Sequence, residues 1–215
     1  MKQKEILLFG ATGQIGRNLI RKLSQNNYKI TAVTRNTHRA GYILKTQANP
    51  GFLELVELKN FDTKKIEDLM KNCTVCINLI GILFEKKRGD FKIIHTDFPN
   101  LLSQIAKKYK IQKLIHLSSL GIENALDSDY AKSKLEGEKK IKSNFEKFVI
   151  IKPSIVYSVD HKFTTRFMTL LSRLPIMPLY YNGNTKFNPI HVSDLVDIIL
   201  NTCLLYTSPS PRDWD

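Results

Sequence analysis

Three glycines at three-residue spacing follow the first apolar run of this chain and constrain its fold more than any other feature. Residues 5–9 have the composition of a buried strand, Gly10, Gly13 and Gly16 come next, and helical periodicity begins at Ile15. In a strand–turn–helix unit the first glycine permits a sharp turn, the second leaves room for a pyrophosphate, and the third lets the helix pack closely on the sheet. The pattern predicts a dinucleotide-binding unit, and a glycine-rich turn without a ligand is the alternative.

The turn and the start of the helix are expected to bind the phosphates of such a cofactor. Free N–H groups and the positive end of the helix dipole attract anions at this position. The residues predicted to contact the cofactor here are Gly10, Ala11, Thr12, Gly13, Gln14, Ile15 and Gly16.

Strand and helix patterns alternate along the chain, which favours an α/β fold with a doubly wound parallel sheet of the Rossmann type. The predicted strands are residues 5–9, 29–33, 53–58, 74–79, 113–117 and 148–151. The predicted helices include residues 64–71, a segment with apolar residues at helical spacing from Phe98 to Ala106, and residues 128–142.

The character of the sequence changes after Pro153 and suggests a division of the chain. Residues 1–152 are predicted to form the NAD(P)-binding domain, and residues 153–201 a partial, truncated lobe on the substrate side with closing elements. An amphipathic helix is predicted at 163–174, a loop at 174–178 and a turn at 180–184. A last helix is predicted after His191, with Ser193 as its N-cap.

The composition changes abruptly again near the end of the chain. Residues 202–215 lose the lysine, isoleucine and asparagine bias and contain Ser-Pro-Ser-Pro. We interpret them as a non-native tail that resembles translated adaptor sequence, with about a third of a typical relative missing beyond Asn201. A genuine disordered tail is the alternative, and in either case we expect the segment to pack against nothing.

The net charge of +13 would suit nucleic acid, an anionic membrane surface or an anionic cofactor. The lysines are spread along predicted helices, and no zinc spacing, aromatic RNA-binding signature or long basic tail accompanies them. A composition typical of an AT-rich genome is the simpler explanation, and nucleic acid is not an expected partner.

The cysteines and the start of the chain favour a cytoplasmic location. Cys73 precedes an apolar strand, and Cys76 lies inside it. Because no second pair of cysteines completes a metal site, we expect reduced thiols and no metal. No signal peptide precedes the first strand, and no apolar run is long enough to span a bilayer.

Arg35 follows the second strand, where an acidic residue would bind the ribose hydroxyls of NAD. A cation here suits the 2′-phosphate of NADP(H), with Arg39 nearby as a second cation, and NADP(H) is therefore favoured over NAD(H). The alternative is a solvated arginine in a loop.

The fourth strand ends in Asn78, Leu79, Ile80 and Gly81. The backbone of Leu79, Ile80 and Gly81 is predicted to face the middle of the cofactor. Asn78 lies within an apolar strand and needs a partner, so a structural hydrogen bond between strands is as well supported as a ligand contact.

Tyr130 and Lys134 are four residues apart and would share one face of a helix. A nearby cation favours the phenolate, which can exchange a proton with a carbonyl or alcohol while hydride moves at a nicotinamide. Lys134 can also hold the nicotinamide ribose. Tyrosine and lysine at this spacing are common on helix surfaces, and the pair gains meaning from the glycine turn that precedes it.

Taken together, these motifs resemble the extended and atypical short-chain dehydrogenase/reductases. The motifs are the glycine triplet, Asn78-x-x-Gly81, Ser118-Ser119, Tyr130-x-x-x-Lys134, Gly137-Glu138 and Lys152-Pro153. Five segments are similar in sequence to bacterial relatives of the NADPH-binding accessory subunit of respiratory complex I. They lie around residues 76–81, 113–119, 130–141, 149–157 and 188–200. The resemblance covers about residues 4–201.

The resemblance implies a Rossmann domain that holds a nicotinamide dinucleotide, with Pro153 among the cofactor contacts. In extended family members a Ser or Thr just past the fifth strand polarises the substrate carbonyl; Leu120 lies where that hydroxyl is expected, and Ser119 is the substitute. The candidate catalytic residues are thus Tyr130, Lys134 and Ser119.

Two functions follow from this resemblance. The first is a cofactor holder associated with complex I or another membrane assembly, cytoplasmic or peripheral at the inner face of the inner membrane. The second is an NADP-dependent reductase or epimerase acting on a small carbonyl, a sugar nucleotide or a quinone precursor. The Tyr130/Lys134 pair favours the enzyme, and the closer sequence similarity and Leu120 favour the holder.

Overall fold

A parallel six-stranded sheet forms the centre of the computed structural model, which describes residues 5–158, 169, 172 and 188–204. The strands are β1 Glu5–Phe9, β2 Lys29–Thr34, β3 Leu53–Glu57, β4 Val75–Asn78, β5 Lys113–Leu117 and β6 Phe148–Ile151. Their order across the sheet is β3-β2-β1-β4-β5-β6. This is the Rossmann order, and the predicted fold class is confirmed.

In the described part of the chain, six α-helices and three shorter helical segments accompany the strands. The helices are α1 Gln14–Gln25, α2 Thr37–Leu44, α3 Thr63–Lys71, α4 Phe98–Lys108, α5 Asp129–Asn144 and α6 Val192–Leu204. Two 3₁₀ segments span Lys45–Gln47 and Ile122–Asn124, and a π-helical segment, Lys92–Asp97, runs directly into α4. Helix α2 and the π-helical segment were not predicted from the sequence.

Side-chain capping explains where several helices begin. Asp62 accepts hydrogen bonds from the backbone of Lys64 and Lys65 at the start of α3, and Ser128 accepts one from Ala131 at the start of α5. The carbonyl oxygen of the Asn36 side chain accepts the Arg39 N–H at 2.8 Å and caps α2. An Asn at this position is a helix-start signal that the sequence contains.

The sheet separates two hydrophobic cores because alternate residues of each strand point to opposite faces. Ile6 and Leu8 of β1 pack on one side with α1, α2 and α6, whereas Leu7 and Phe9 pack on the other with α3, α4 and α5. Both faces of the sheet are therefore covered, as expected for parallel strands.

Helix α6 belongs to the main layer of the fold. Its residues Val192, Leu195, Val196 and Ile199 share a hydrophobic core with β1 and α1. The division at residue 153 therefore does not separate this helix from the sheet. A small parallel pair, β7 Val156–Tyr157 and β8 Ile190–His191, precedes it.

Two predictions about the end of the chain need correction. Helix α6 begins at Val192, so Ser193 lies inside it; the N–H of Ser193 instead bonds Nδ1 of His191 at 3.3 Å. The helix also continues to Leu204, with Cys203 buried, which contradicts the expectation that the segment from residue 202 packs against nothing. The predicted elements at 163–174, 174–178 and 180–184, together with residues 205–215, lie outside the described residues apart from the isolated positions 169 and 172.

Candidate functional site: a dinucleotide cavity at the carboxyl ends of the strands

A cavity of about 630 Å³ opens where the strand order reverses, between β1 and β4. Ligands of open α/β sheets bind at this switch point, because adjacent connections leave the sheet in opposite directions there. The residues lining the cavity are Phe9, Gly10, Thr12, Gly13, Val33, Thr34, Arg35, Leu58, Lys59, Asn60, Phe61, Leu79, Ile80, Gly81, Ile82, Asp90, Ile93 and Ile94.

The glycine turn forms one wall of the cavity. Gly10 has φ +84°, a left-handed conformation that favours glycine, and Gly13 donates its N–H to the Gly10 carbonyl at 3.1 Å. A Cβ on Gly16 would lie 2.5 Å from that carbonyl oxygen, so only glycine allows α1 to approach this closely. Gly13 has ordinary extended angles, and its missing side chain leaves space in the cavity itself.

These features fit the pyrophosphate of a dinucleotide. The N-terminus of α1 begins at Gln14, immediately beside the lining residue Gly13, and offers free N–H groups and the positive end of its dipole. The predicted contacts Gly10, Thr12 and Gly13 line the cavity. Ala11, Gln14, Ile15 and Gly16 do not line it; Ala11 is buried, and the Gln14 amide donates to Ser158 Oγ at 2.7 Å.

Two cations line the cavity near the ends of β2 and β3. Arg35 follows β2 and Lys59 follows β3, and Lys59 Nζ lies 3.5 Å from the Glu57 carboxylate. Arg39, the second cation predicted from the sequence, is not among the lining residues, whereas Lys59 is. Glu57 is turned towards α2, where it accepts hydrogen bonds from the backbone and hydroxyl of Thr37 at 3.1 Å.

Asn78 makes structural hydrogen bonds. Its side-chain amide bonds Nδ1 of His116 at 3.2 Å, and its oxygen accepts the Ile80 N–H at 3.1 Å. Burial, followed by the charge of Lys134, lowers the pKa of His116 to about 3 and keeps the ring neutral. Of the two roles left open for Asn78, the structure shows the inter-strand bond, which also orients the backbone of the lining residue Ile80.

Ser119, Tyr130 and Lys134 come together beside the cavity. Ser119 Oγ lies 2.7 Å from the Tyr130 hydroxyl, within hydrogen-bonding distance. Lys134 Nζ is 5.6 Å from the centre of the Tyr130 ring and donates to the Leu117 carbonyl at 3.3 Å. A Cβ on Gly81 would lie 3.7 Å from Lys134 Nζ, so the ammonium faces the predicted cofactor wall. Leu120, the residue expected near the substrate carbonyl, is exposed.

Lys134 is buried, and burial lowers its pKa to about 8, while the nearby Glu138 acts in the opposite direction. Glu138 is itself fully buried and lies 2.9 Å from Lys152 Nζ, which also contacts Glu123. The Gly137-Glu138 and Lys152-Pro153 motifs are thereby joined behind the site. Pro153 does not line the cavity; its carbonyl accepts the Leu120 N–H at 3.0 Å.

Several lining residues were missed by the sequence analysis. Lys59, Asn60 and Phe61 follow β3 after Leu58. The rule that ligands bind at the carboxyl ends of parallel strands would have selected them. Ile93 and Ile94 come from the π-helical segment, for which the sequence carries no simple signal. Leu79, Ile80 and Gly81 line the cavity as expected.

Cys73 and Cys76 form no disulfide bond, and burial raises the pKa of both thiols. Among the described residues there is no cluster of metal-ligating side chains. No helix in the described part of the chain is both long enough and apolar enough to cross a membrane.

The strand order, the glycine turn and the cavity define a dinucleotide-binding domain of the Rossmann class. The sequence model of the NAD dependent epimerase/dehydratase family matches residues 6–214, and the chain belongs to that family. The cofactor of the family is a nicotinamide dinucleotide, and the cavity wall formed by the glycine turn fits its pyrophosphate. The resemblance inferred from the sequence motifs is thus confirmed.

Individual relatives agree with this assignment. The chain is 27% identical over 194 residues to NADH dehydrogenase (ubiquinone) 1 alpha subcomplex subunit 9, mitochondrial, of Mus musculus, covering 90% of this chain and 52% of that protein. It is 24% identical over 202 residues to the ceramide reductase of Caulobacter vibrioides (strain NA1000 / CB15N), covering 92% of this chain and 60% of that protein. The chain spans about half the length of the mouse protein.

A similar fold is found in the UDP-glucuronic acid 4-epimerase of Bacillus cereus, solved in complex with UDP-glucuronic acid and NAD. The TM-score is 0.74 at 18% identity, and the alignment covers 95% of this chain and 74% of that chain.

Proposed function

We propose that this chain binds NADP(H) in preference to NAD(H). The observation that carries the proposal is the pair of cations, Arg35 and Lys59, that lines the cavity near the ends of β2 and β3. At the end of β2, NAD-binding relatives of this fold place an acidic residue against the ribose hydroxyls, whereas a cation suits a 2′-phosphate. Glu57, the acidic residue closest to this edge along β3, is engaged by Thr37 and Lys59.

The protein is further proposed to hold this cofactor as a subunit associated with the respiratory NADH dehydrogenase, complex I. The support is similarity to the mouse subunit along 90% of the chain. Such a holder needs tight dinucleotide binding and no substrate. An affinity-tagged form expressed in the source organism should co-purify with NADH dehydrogenase activity from detergent-solubilised membranes; its absence from that fraction would refute the association alone.

The cofactor preference is tested by titrating NADPH and NADH into the parent chain and into Arg35→Asp. We expect the parent to bind NADPH at least about tenfold more tightly, a difference of about 1.4 kcal/mol, and Arg35→Asp to lose that preference. Arg39→Asp is the matched control, because Arg39 carries the same charge outside the cavity lining, and it should keep the preference. Equal or tighter binding of NADH by the parent would refute the assignment.

Gly13→Val tests whether the cavity is the binding site at all. The backbone angles of Gly13 suit any residue, and an added Cβ would approach only the Gly10 carbonyl oxygen, at 3.3 Å. The variant should therefore fold while its side chain occupies the space of the pyrophosphate. Unchanged dinucleotide affinity in a folded Gly13→Val chain would place the cofactor elsewhere.

A second candidate function, an NADP-dependent reductase or epimerase, is favoured by the 2.7 Å approach of Ser119 Oγ to the Tyr130 hydroxyl. The bound dinucleotide would supply or accept hydride. Tyr130 would exchange a proton with the substrate oxygen, Ser119 would hydrogen-bond the same oxygen, and Lys134 would favour the phenolate and hold the ribose. The substrate class remains a small carbonyl, a sugar nucleotide or a quinone precursor.

Tyr130→Phe separates the two functions because it removes only a hydroxyl. In an enzyme, oxidation of NADPH by a panel of small carbonyls should fall by about 100- to 10,000-fold, with cofactor affinity nearly unchanged. In a holder the substitution should be silent, while Lys134→Ala still weakens NADPH binding. Stereospecific hydride transfer that disappears in Tyr130→Phe would decide for the enzyme.

A further inference from the structure

His95 is a buried side chain that bonds both the segment after β4 and helix α5. Neither proposed function uses it. It lies in the π-helical segment Lys92–Asp97. Its ring is stacked near Phe91 and stands edge-on to Tyr130, with 5.3 Å between ring centres in both pairs. A buried imidazole without a hydrogen-bond partner would be costly, so its bonds indicate its role.

The bonds of His95 assign its tautomer. Nε2 lies 3.1 Å from the backbone nitrogen of Ile82, which can only donate, so Nε2 accepts. Nδ1 lies 3.0 Å from Ser133 Oγ, and that hydroxyl donates its proton to the Tyr130 carbonyl at 2.8 Å. Nδ1 must therefore carry the proton and donate to Ser133.

Burial and the nearby charge of Lys134 keep this ring neutral. Together they lower the pKa of His95 to about 4, burial being the larger cause. A protonated ring would direct a second N–H at the Ile82 N–H and break that bond. The neutral form is thus the one that can join both partners.

The two partners of His95 belong to different elements, since Ile82 lies in the segment after β4 and Ser133 lies in α5. Ile82 and Gly81 line the cavity after β4, and a Cβ on Gly81 would lie 3.8 Å from Nε2. Ser133 belongs to the turn of α5 that carries Tyr130 and Lys134. The Thr96 hydroxyl adds a second bond to this turn, to the Ser133 carbonyl at 2.9 Å.

We propose that His95 is a positioning residue that fixes the nicotinamide end of the cavity by joining the Gly81–Ile82 backbone to the Tyr130–Lys134 turn. This inference rests on the proposed binding of a nicotinamide dinucleotide. It assigns His95 an effect on the nicotinamide half of the ligand and none on the adenosine half, which lies with Arg35 and Lys59.

Two substitutions separate the bonds of His95. Glutamine can place an acceptor where Nε2 stands and keep the bond to Ile82, whereas asparagine reaches only the position of Nδ1 and keeps the bond to Ser133. Binding of NADPH is compared with binding of adenosine 2′,5′-bisphosphate, which contains the adenosine half alone. A merely structural role would weaken both ligands together.

We expect His95→Asn to weaken NADPH binding by about tenfold, the factor that corresponds to one lost buried hydrogen bond, and His95→Gln to restore most of it. Affinity for the bisphosphate should stay within about twofold in both variants. Unchanged NADPH affinity in His95→Asn, or equal weakening of the two ligands, would overturn the inference while leaving the proposed function in place. A parent chain that binds neither ligand would remove the proposed function and the inference with it.

A measurement on the unmodified chain covers the case in which a variant fails to fold. Long-range proton–nitrogen NMR spectra distinguish the two neutral tautomers of histidine and the protonated ring. We expect His95 to be neutral with its proton on Nδ1 between pH 6 and pH 8. A proton on Nε2, or a protonated ring in that range, would contradict the proposed bonds.

Discussion

Lys134 is a buried cation of the site whose pKa is lowered by the tertiary structure. Its side chain is 5% exposed, and its ammonium donates to the Leu117 carbonyl. Burial penalises the charged form and lowers the pKa to about 8, although Glu138 partly offsets this effect. A free-energy penalty on the charged form in the absence of ligand is expected where a charged side chain serves binding or catalysis.

Replacing Lys134 with methionine should stabilise the chain in the absence of ligand. The pKa of Lys134 is about 8 in the folded chain and about 10.4 in an unfolded one. The unfolded state therefore holds more protons between these values, and the stability of the parent rises with pH across that window. Below pH 8 the penalty is complete, and Lys134→Met should be about 1–3 kcal/mol more stable at pH 7.

Urea unfolding at pH 7, 8, 9 and 10 measures this difference, which should shrink as the pH rises above 8. Lys132→Met is the control, because Lys132 lies on the same helix with its side chain 56% exposed, and it should change stability little at any of these pH values. A difference between Lys134→Met and the parent that stays constant from pH 7 to pH 10 would contradict the assignment.

Helix α5 approaches the π-helical segment unusually closely. A Cβ on Gly137 would lie 1.9 Å from the carbonyl oxygen of His95, a backbone atom that cannot move aside without shifting the segment. Glycine at position 137 therefore sets the distance between the two elements. The bonds from His95 and Thr96 to Ser133 depend on the same distance.

Gly137→Ala should destabilise the chain by about 3 kcal/mol or more, because the added methyl group forces α5 away from the π-helical segment. Gly41→Ala is the matched helical control: its Cβ would meet Leu55 and Lys45 at ordinary distances of 3.8 and 3.9 Å. That substitution should stabilise the chain by about 0.5–1 kcal/mol, since alanine loses less entropy on folding than glycine. Thermal unfolding of both variants measures these two effects. An unchanged Tm in Gly137→Ala would show that α5 and the π-helical segment are not held at this distance.

Helix α6 closes one face of the whole molecule, although it comes from the far end of the described chain. Cys203, in its last turn, is 1% exposed within the core shared by β1 and α1. The Thr202 carbonyl accepts a hydrogen bond at 2.5 Å from Nζ of Lys113, the first residue of β5. Thr202 and Cys203, the first residues after the change in composition, thus contact the rest of the fold.

A chain that ends at Asn201 should be less stable than one that ends at Leu204. It loses the buried Cys203 side chain and the bond from Lys113 to Thr202, which together contribute about 1–3 kcal/mol. The expected fall in Tm is about 2–4 °C for each kcal/mol in a chain of this size. Equal melting temperatures of the two truncated chains would support the original boundary at residue 202.

The sequence by itself determined the fold class and the general location of the site. Strand alternation, the glycine triplet and the helix periodicities are local properties, because each depends on neighbours within a few residues. They were sufficient to predict the six strands to within one residue at each end, the turn at Gly10 and Gly13, and the Tyr130/Lys134 face of α5. Asn36 is likewise a local helix-start signal, and it caps α2.

Only the tertiary structure decided which residues surround the cavity and which protonation states the nearby side chains adopt. Lys59 enters the site because β3 lies beside β2, and His95 joins two walls because a π-helical segment packs against α5. Packing also buries Lys134 and lowers its pKa. On the opposite face of the sheet, α6 joins the hydrophobic core through Cys203. These effects depend on distances between residues far apart in sequence, and no local pattern encodes such distances.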